Sequence, residues 1–153
     1  SGYSGAPGLG GTVASWGSFW TSAQQTTSAN TPTAIQLLTT DPDSRDVSIV
    51  SNTRVTFANA GVYNIQFSLQ LSNPDSADQD FELWFKKNGT NIANSAFVQS
   101  LKNPNESVIV SVNYMLNMNP NDYIEVFAQS FKPLVEFLII MKFTQVPMLQ
   151  NGK

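Results

Sequence analysis

The stretch Thr56–Leu71, TFANAGVYNIQFSLQL, decides how the rest of the chain is read. After Gly61 it alternates without a break. Tyr63, Ile65, Phe67, Leu69 and Leu71 fall on one side, and Asn64, Gln66, Ser68 and Gln70 on the other. Period-two alternation of this length predicts a strand with one core-facing side. A slip of one residue would turn every large apolar group to the opposite face, so the register is strongly fixed. Asn59 to Gly61 reads as the turn that enters the strand.

Upstream, Ala14 to Ser22 carries Trp16, Phe19 and Trp20 and predicts a first strand with an irregular bend at Gly17. Ala23 to Thr33 is rich in Ser, Thr, Asn and Gln and reads as a loop. Ala34 to Thr39 predicts a short strand. Asp41 to Asp46 is a turn by composition. Val47 to Ser51 and Arg54 to Phe57 predict two short strands broken near Asn52.

Downstream, Asn73 to Asp80 is a polar loop. Phe81, Leu83 and Phe85 then alternate with Glu82, Trp84 and Lys86. Asn88-Gly89 is a strong hairpin signal, because a type I′ turn needs positive φ at both central residues. The return strand is expected over Thr90 to Leu101, followed by a loop at Lys102 to Glu106. Val108, Val110, Val112, Tyr114 and Leu116 line one face of the next strand. After a turn at Asn117 to Asp122, Ile124, Val126 and Ala128 oppose Tyr123, Glu125 and Phe127.

The last strand, Glu136 to Val146, reads EFLIIMKFTQV. Phe137 to Met141 are all apolar, so both faces of the strand are apolar. Such a strand is buried on both sides, whereas a monomeric sandwich leaves one face in water. Either the chain end covers the second face or partner subunits do. If Phe137, Ile139, Met141 and Phe143 fill the core, Leu138 and Ile140 meet the partners, with Lys142 nearer the rim.

About ten short strands with turns between them, and no 3.6-residue periodicity, predict an all-β sandwich or barrel. At 153 residues the chain suits one domain. Cys and His are absent. That removes disulfides, Ser-His-Asp and Cys-His catalysis, and the common zinc ligand sets. Charged residues are only 12% with net charge −3, and no basic face marks a nucleic-acid partner. No stretch reads as a signal peptide or as a membrane-spanning helix, so no membrane insertion is expected.

Few residues invite chemistry. Asp41, Asp43 and Asp46 only partly match a calcium loop, lacking the bend glycine and the closing Glu. An ordinary solvated turn explains them as well, and no metal or other cofactor is expected. Asp78, Asp80 and Glu82 form a second acidic patch, but a glycosidase pair needs a fixed separation and one raised pKa. No catalytic residue is assigned. Trp16 and Trp20 suit core or interface packing. Trp84 shares its face with Glu82 and Lys86, so it points outward if Phe81, Leu83 and Phe85 point in. It is the best candidate for a receptor contact, against the plainer reading that a loop or subunit covers it. Asn88-Gly-Thr90 and Asn105-Glu-Ser107 match the glycosylation sequon.

The run Phe57-Ala-Asn-Ala-Gly61-Val-Tyr63-Asn-Ile65-Gln-Phe67 resembles the signature of the jelly-roll superfamily shared by complement component 1q heads and tumour necrosis factor. The pattern is an aromatic, a short turn, then Gly-x-Tyr-x-apolar-x-aromatic. Ile65 stands where that family commonly has an aromatic. Composition alone does not separate a jelly roll from an immunoglobulin-like sandwich; the resemblance selects a two-sheet jelly-roll sandwich. It also implies a homotrimer whose last strand runs near the threefold axis. Leu138, Ile140, Trp16 and Trp20 are the candidate interface residues. Gly2, Gly5, Gly8 and Gly11 share one Gly-x-y phase, the collagen pattern. Residues 1–13 thus read as the end of a collagen-like stalk or a linker, and 14–153 as the head. The polar style and this leader look like phage or other viral fibre proteins, and somewhat like bacterial surface filaments.

The resemblance therefore implies a trimeric fibre tip on a virion surface, structural and adhesive, touching a host cell-surface receptor or glycan. The alternatives are an enzyme degrading surface polysaccharide, and a secreted ligand that clusters receptors.

Overall fold

The computed structural model describes residues 13–74, 76–131 and 136–147. The collagen-phase glycines Gly2, Gly5, Gly8 and Gly11 lie outside the described residues. Among the described residues twelve strands follow one another: β1 (Trp16–Thr26), β2 (Thr33–Ala34), β3 (Thr39–Thr40), β4 (Val47–Val50), β5 (Arg54–Phe57) and β6 (Gly61–Ser72), then β7 (Gln79–Lys87), β8 (Thr90–Asn91), β9 (Phe97–Leu101), β10 (Ser107–Met118), β11 (Tyr123–Ser130) and β12 (Glu136–Gln145). No helix occurs among the described residues.

The strands form two antiparallel sheets. One has five strands in the order β10-β6-β12-β1-β3. The other has seven, in the order β4-β5-β11-β7-β8, with β2 also on β11 and β9 also on β7. The chain passes repeatedly from one sheet to the other, so its first and last long strands become neighbours in one sheet. This is a jelly-roll sandwich.

The organising strand is β6, flanked by β10 and β12. Tyr63, Ile65, Phe67, Leu69 and Leu71 are each at most 3% exposed, as the alternation requires. On β12 the buried set is Phe137, Ile139, Met141 and Phe143. The open parity of the last strand is thereby resolved, since Phe137 pairs with Leu71 and Met141 with Phe67 in the ladder. From the other sheet come Phe81, Leu83 and Phe85 of β7 and Ile124, Val126 and Ala128 of β11. Aromatic rings join the layers. Phe57 meets Tyr63 at 4.5 Å and Phe143 at 5.8 Å between centroids.

Several boundaries differ from the sequence reading. The first strand runs on through Thr26, because Gln25 and Thr26 pair with Phe137 and Glu136; the polar run after Ser22 is not simply loop. The irregularity lies between Thr21 and Gln25, not at Gly17, which keeps regular register opposite Phe143. Gly17 is needed for close approach, since a β-carbon there would stand 2.5 Å from the Phe19 ring. The strand expected over Ala34 to Thr39 divides into β2 and β3, which pair in different sheets. The return strand expected over Thr90 to Leu101 divides into β8 and β9. Ser95 fills the break, its hydroxyl accepting from Phe85 N at 3.0 Å and donating to Ile92 O at 2.8 Å.

Two glycines hold backbone that other residues resist. Asn88 and Gly89 have φ of 50° and 85°, which makes the expected hairpin turn. Gly61 has φ of 151°, and a β-carbon there would lie 2.7 Å from Gln145 Nε2. Gln145 needs that space. It accepts from Ser15 N and donates to Ala60 O, both at 2.9 Å. The glycine of the signature thus lets the end of β12 tie the entry of β1 to the turn before β6.

Candidate functional site: two outward sheet faces

The outward face of the five-stranded sheet is built in rungs across β1, β12, β6 and β10. One rung is Trp16, Thr144, Asn64 and Met115; the next is Ser18, Lys142, Gln66 and Asn113; a third is Trp20, Ile140, Ser68 and Ser111. Leu138, Gln70 and Ile109 follow. Ile140 is 50% exposed, Met115 53% and Ile109 73%. Trp16, Trp20 and Leu138 are half-buried.

Two shallow depressions of about 370 and 360 Å³ adjoin on this face and share Ser68 and Ile140. Lys142 lines the first and Trp20 and Leu138 the second. Asn64 Oδ1 is buried on the same face without a hydrogen-bond partner among the described residues. All four residues expected to meet partners, Trp16, Trp20, Leu138 and Ile140, thus lie on one surface. Ile109 and Met115 join them. Their signal was present in the sequence, as apolar residues in the polar parity of β10.

The outward face of the seven-stranded sheet has another character. Trp84 lies on it, half-buried, stacked on Phe127 at 6.1 Å and donating its indole N–H to Asn91 Oδ1 at 3.1 Å. Lys86 Nζ sits 4.2 Å above the centre of the Phe127 ring, and the Arg54 guanidinium 4.6 Å from that of Tyr123. These are cation–π contacts. Thr53 donates to Glu125 at 2.7 Å, and Lys87 pairs with Asp122 at 3.4 Å. The hydrogen bond from Asn119 N, and then that from Asn88, hold the Asp122 carboxyl below the usual carboxylate range.

The acidic groups singled out in the sequence do not gather at one place, although Asp41 and Asp46 border one depression together. Asp78 and Asp80 border one depression and Glu82 another. Asp80 accepts from Ser100 Oγ at 2.6 Å, and Glu82 from Gln129 Nε2 at 3.4 Å. Asp41 uses its carboxylate to accept from Asp43 N at 2.9 Å, a local turn bond. Among the described residues no grouping of three or more His, Cys, Asp or Glu is placed to hold a metal ion. No helix there is long and apolar enough to cross a membrane. Of the two sequons, Asn88 is engaged, accepting from Tyr123 N at 3.0 Å and donating to Asp122 at 2.9 Å.

The architecture is shared with solved structures. Eiger, a tumour necrosis factor from S. frugiperda, superposes with a TM-score of 0.66 at 11% identity, covering 92% of this chain and 97% of that one. The PRD1 vertex protein P5 gives 0.58 at 14% identity, covering 90% and 100%. The globular domain of a zebrafish complement 1qA protein gives 0.53 at 13%, covering 88% and 99%. The fold is therefore the jelly roll that the signature implied. No protein-family model matches the chain, and no curated protein matches it in sequence.

Proposed function

We propose that the chain is the trimeric globular head of a fibre, structural and adhesive, displayed on a virion surface and bound to a host receptor or glycan. The observation that carries the reading is the outward face of the five-stranded sheet. A sheet facing water on one side carries polar groups there. Here Ile109, Met115, Leu138, Ile140 and Trp20 share that side. Apolar groups gathered on one face mark an interaction surface. The buried, unpaired Asn64 Oδ1 fits the same reading, since a subunit laid over the face can bring it a donor. The Gly-x-y leader favours the fibre, and the likeness to a vertex protein is consistent with a virion surface. The reading assigns no catalytic step: Asp78 and Asp80 border one depression and Glu82 another, so the three carboxylates do not meet at one site.

The first test is the mass in solution by light scattering at micromolar concentration. A trimer gives about 50 kDa, three times the 16.7 kDa of one chain. Ile140→Asp should then yield monomer or aggregate. Each subunit loses about 1.5–3 kcal/mol of apolar burial and brings an unpaired charge to the interface. A wild-type mass of one chain overturns the trimeric head.

A further inference from the structure

We propose that the depression beside Trp84, on the outward face of the seven-stranded sheet, is a subsite for one uncharged pyranose of a glycan. The proposal names the ligand class of the adhesive reading and rests on it. The depression measures about 290 Å³ and its border includes Trp84, Glu82, Gln129, Asn91 and Asn94. That is room for a single sugar ring rather than a chain.

A pyranose has one apolar face of C–H groups and a rim of hydroxyls that both donate and accept. The groups around this depression match both. Trp84 borders it while Phe127, stacked on the indole, does not. The indole is held by that stack and by its hydrogen bond to Asn91, so its orientation is fixed before any ligand arrives. An aromatic held this way offers contact area at little entropic cost. Asn91, Asn94 and Gln129 supply amides that donate and accept, and Glu82 a carboxylate that accepts. Glu82 and Gln129 meet at 3.4 Å, a long bond that sugar hydroxyls can replace.

The charge selects among sugars. Among the described residues Glu82 is the charged one on the border and no cation lines it, Lys86 being seated over Phe127. A carboxylated or sulfated sugar would meet the carboxylate, whereas a neutral hexose or N-acetylhexosamine would not. Asn94, at φ of 60°, a left-handed conformation that Asn adopts readily, is another of the border residues.

The test is a titration of the intact chain with the methyl glycosides of glucose, galactose, mannose and N-acetylglucosamine, with methyl sialoside as the charged comparison. The readout is the indole N–H resonance of Trp84 in a nitrogen–proton correlation spectrum. The chain has three Trp, and the Trp84→Phe spectrum identifies the signal. One neutral glycoside should shift it saturably with a Kd of about 1 mM, the range open to so small a ligand. Trp84→Ala, followed through the backbone amide resonances of Asn91 and Asn94 because the indole is gone, should weaken that binding by about tenfold or more. Asn94→Gly keeps the positive φ while removing the amide, so it reports on the site even if Trp84→Ala fails to fold. It should weaken binding several-fold. The proposal is overturned if no neutral glycoside moves the Trp84 signal at concentrations of roughly 50 mM, well above that Kd. It is equally overturned if binding is unchanged in Asn94→Gly and Gln129→Ala, or if the sialoside binds best. Mass measured on the same sample keeps the two readings apart. A trimer without sugar binding removes this subsite alone, and a monomer that binds sugar removes the trimeric head alone.

Discussion

Phe67→Ala tests the centre of the fold. The Phe67 ring is 3% exposed and projects from β6 toward the facing sheet. It meets Phe85 edge-on at 5.8 Å and lies nearly parallel to Phe97 at 5.9 Å. Both partners belong to the seven-stranded sheet, so this one ring helps hold the layers together. Truncating a buried Phe costs about 3–5 kcal/mol, the spread reflecting how far the site can collapse. Collapse is limited here, because β6 is fixed on both edges by β10 and β12. The two lost aromatic contacts add about 0.5–1.5 kcal/mol each beyond their area. The upper half of the range is therefore expected. In a thermal scan that is a fall of roughly 10–15 °C for a domain of this size. The assay is a urea melt at one fixed protein concentration, since any subunit dissociation is coupled to unfolding. The slope should stay constant while the midpoint falls. A loss under about 1 kcal/mol would refute burial of this side chain as the source of sheet-to-sheet cohesion.

Gly61→Ala should destabilise by about 1–3 kcal/mol, through φ of 151° and the crowding of Gln145 Nε2; a melt equal to wild type would show that Gln145 moves aside without cost. The Asn119 and Asn88 hydrogen bonds hold the folded pKa of Asp122 below the ordinary carboxylate value. Its contribution is therefore fully present above that value and is lost as pH falls through the depressed one. Asp122→Asn should flatten the fall of melting temperature between about pH 5 and pH 2, and an unchanged acid limb would remove Asp122 from the account. Ile140→Asp, proposed above to break the trimer, should leave the circular dichroism of the monomer β-rich. Loss of the β signal would mean that Ile140 serves the fold rather than the interface.

The parts of this fold that were legible in the sequence are those where one strand face is apolar and the other polar. β6, β7 and β11 satisfy that condition, and their inward residues are buried as the alternation requires. β12 does not satisfy it. With both parities apolar, the choice waits on the register with β6, which sets Phe137, Ile139, Met141 and Phe143 inward. The segment Ala34 to Thr39 misled for another reason. Ile35 and Leu37 are buried as an alternating strand would have them. Their amides, however, go to Val126 O and Asn52 O, partners from different parts of the chain, so no continuous ladder forms. Gln25 and Thr26 are strand residues only because β12 runs alongside, a tertiary pairing that local composition does not contain. At the candidate sites the limit was the same. Alternation placed Trp84 outward, but only folding brings Asn91 to its indole and Gln129 to the neighbouring Glu82.

The two outward faces show how the domain divides its surface. On the seven-stranded sheet, outward, half-buried aromatics are served within the chain: Lys86 covers Phe127, Arg54 covers Tyr123, and Phe127 supports Trp84. Such contacts let an aromatic stand at a wet surface without inviting indiscriminate association. On the five-stranded sheet, Ile109, Met115 and Ile140 lie open. A single exposed Ile is ordinary. Three large apolar residues on adjoining strands, with Trp20 and Leu138 beside them and a buried amide oxygen left unpaired, are not what the folding of one chain requires. The demands of the monomer account for the inward residues of both sheets and for the outward residues of one. The remaining face is the one that the proposed assembly would cover. Covering it with copies of the same chain would leave the Trp84 face turned outward, repeated around the head, where the weak sugar contacts proposed for it would multiply into useful avidity.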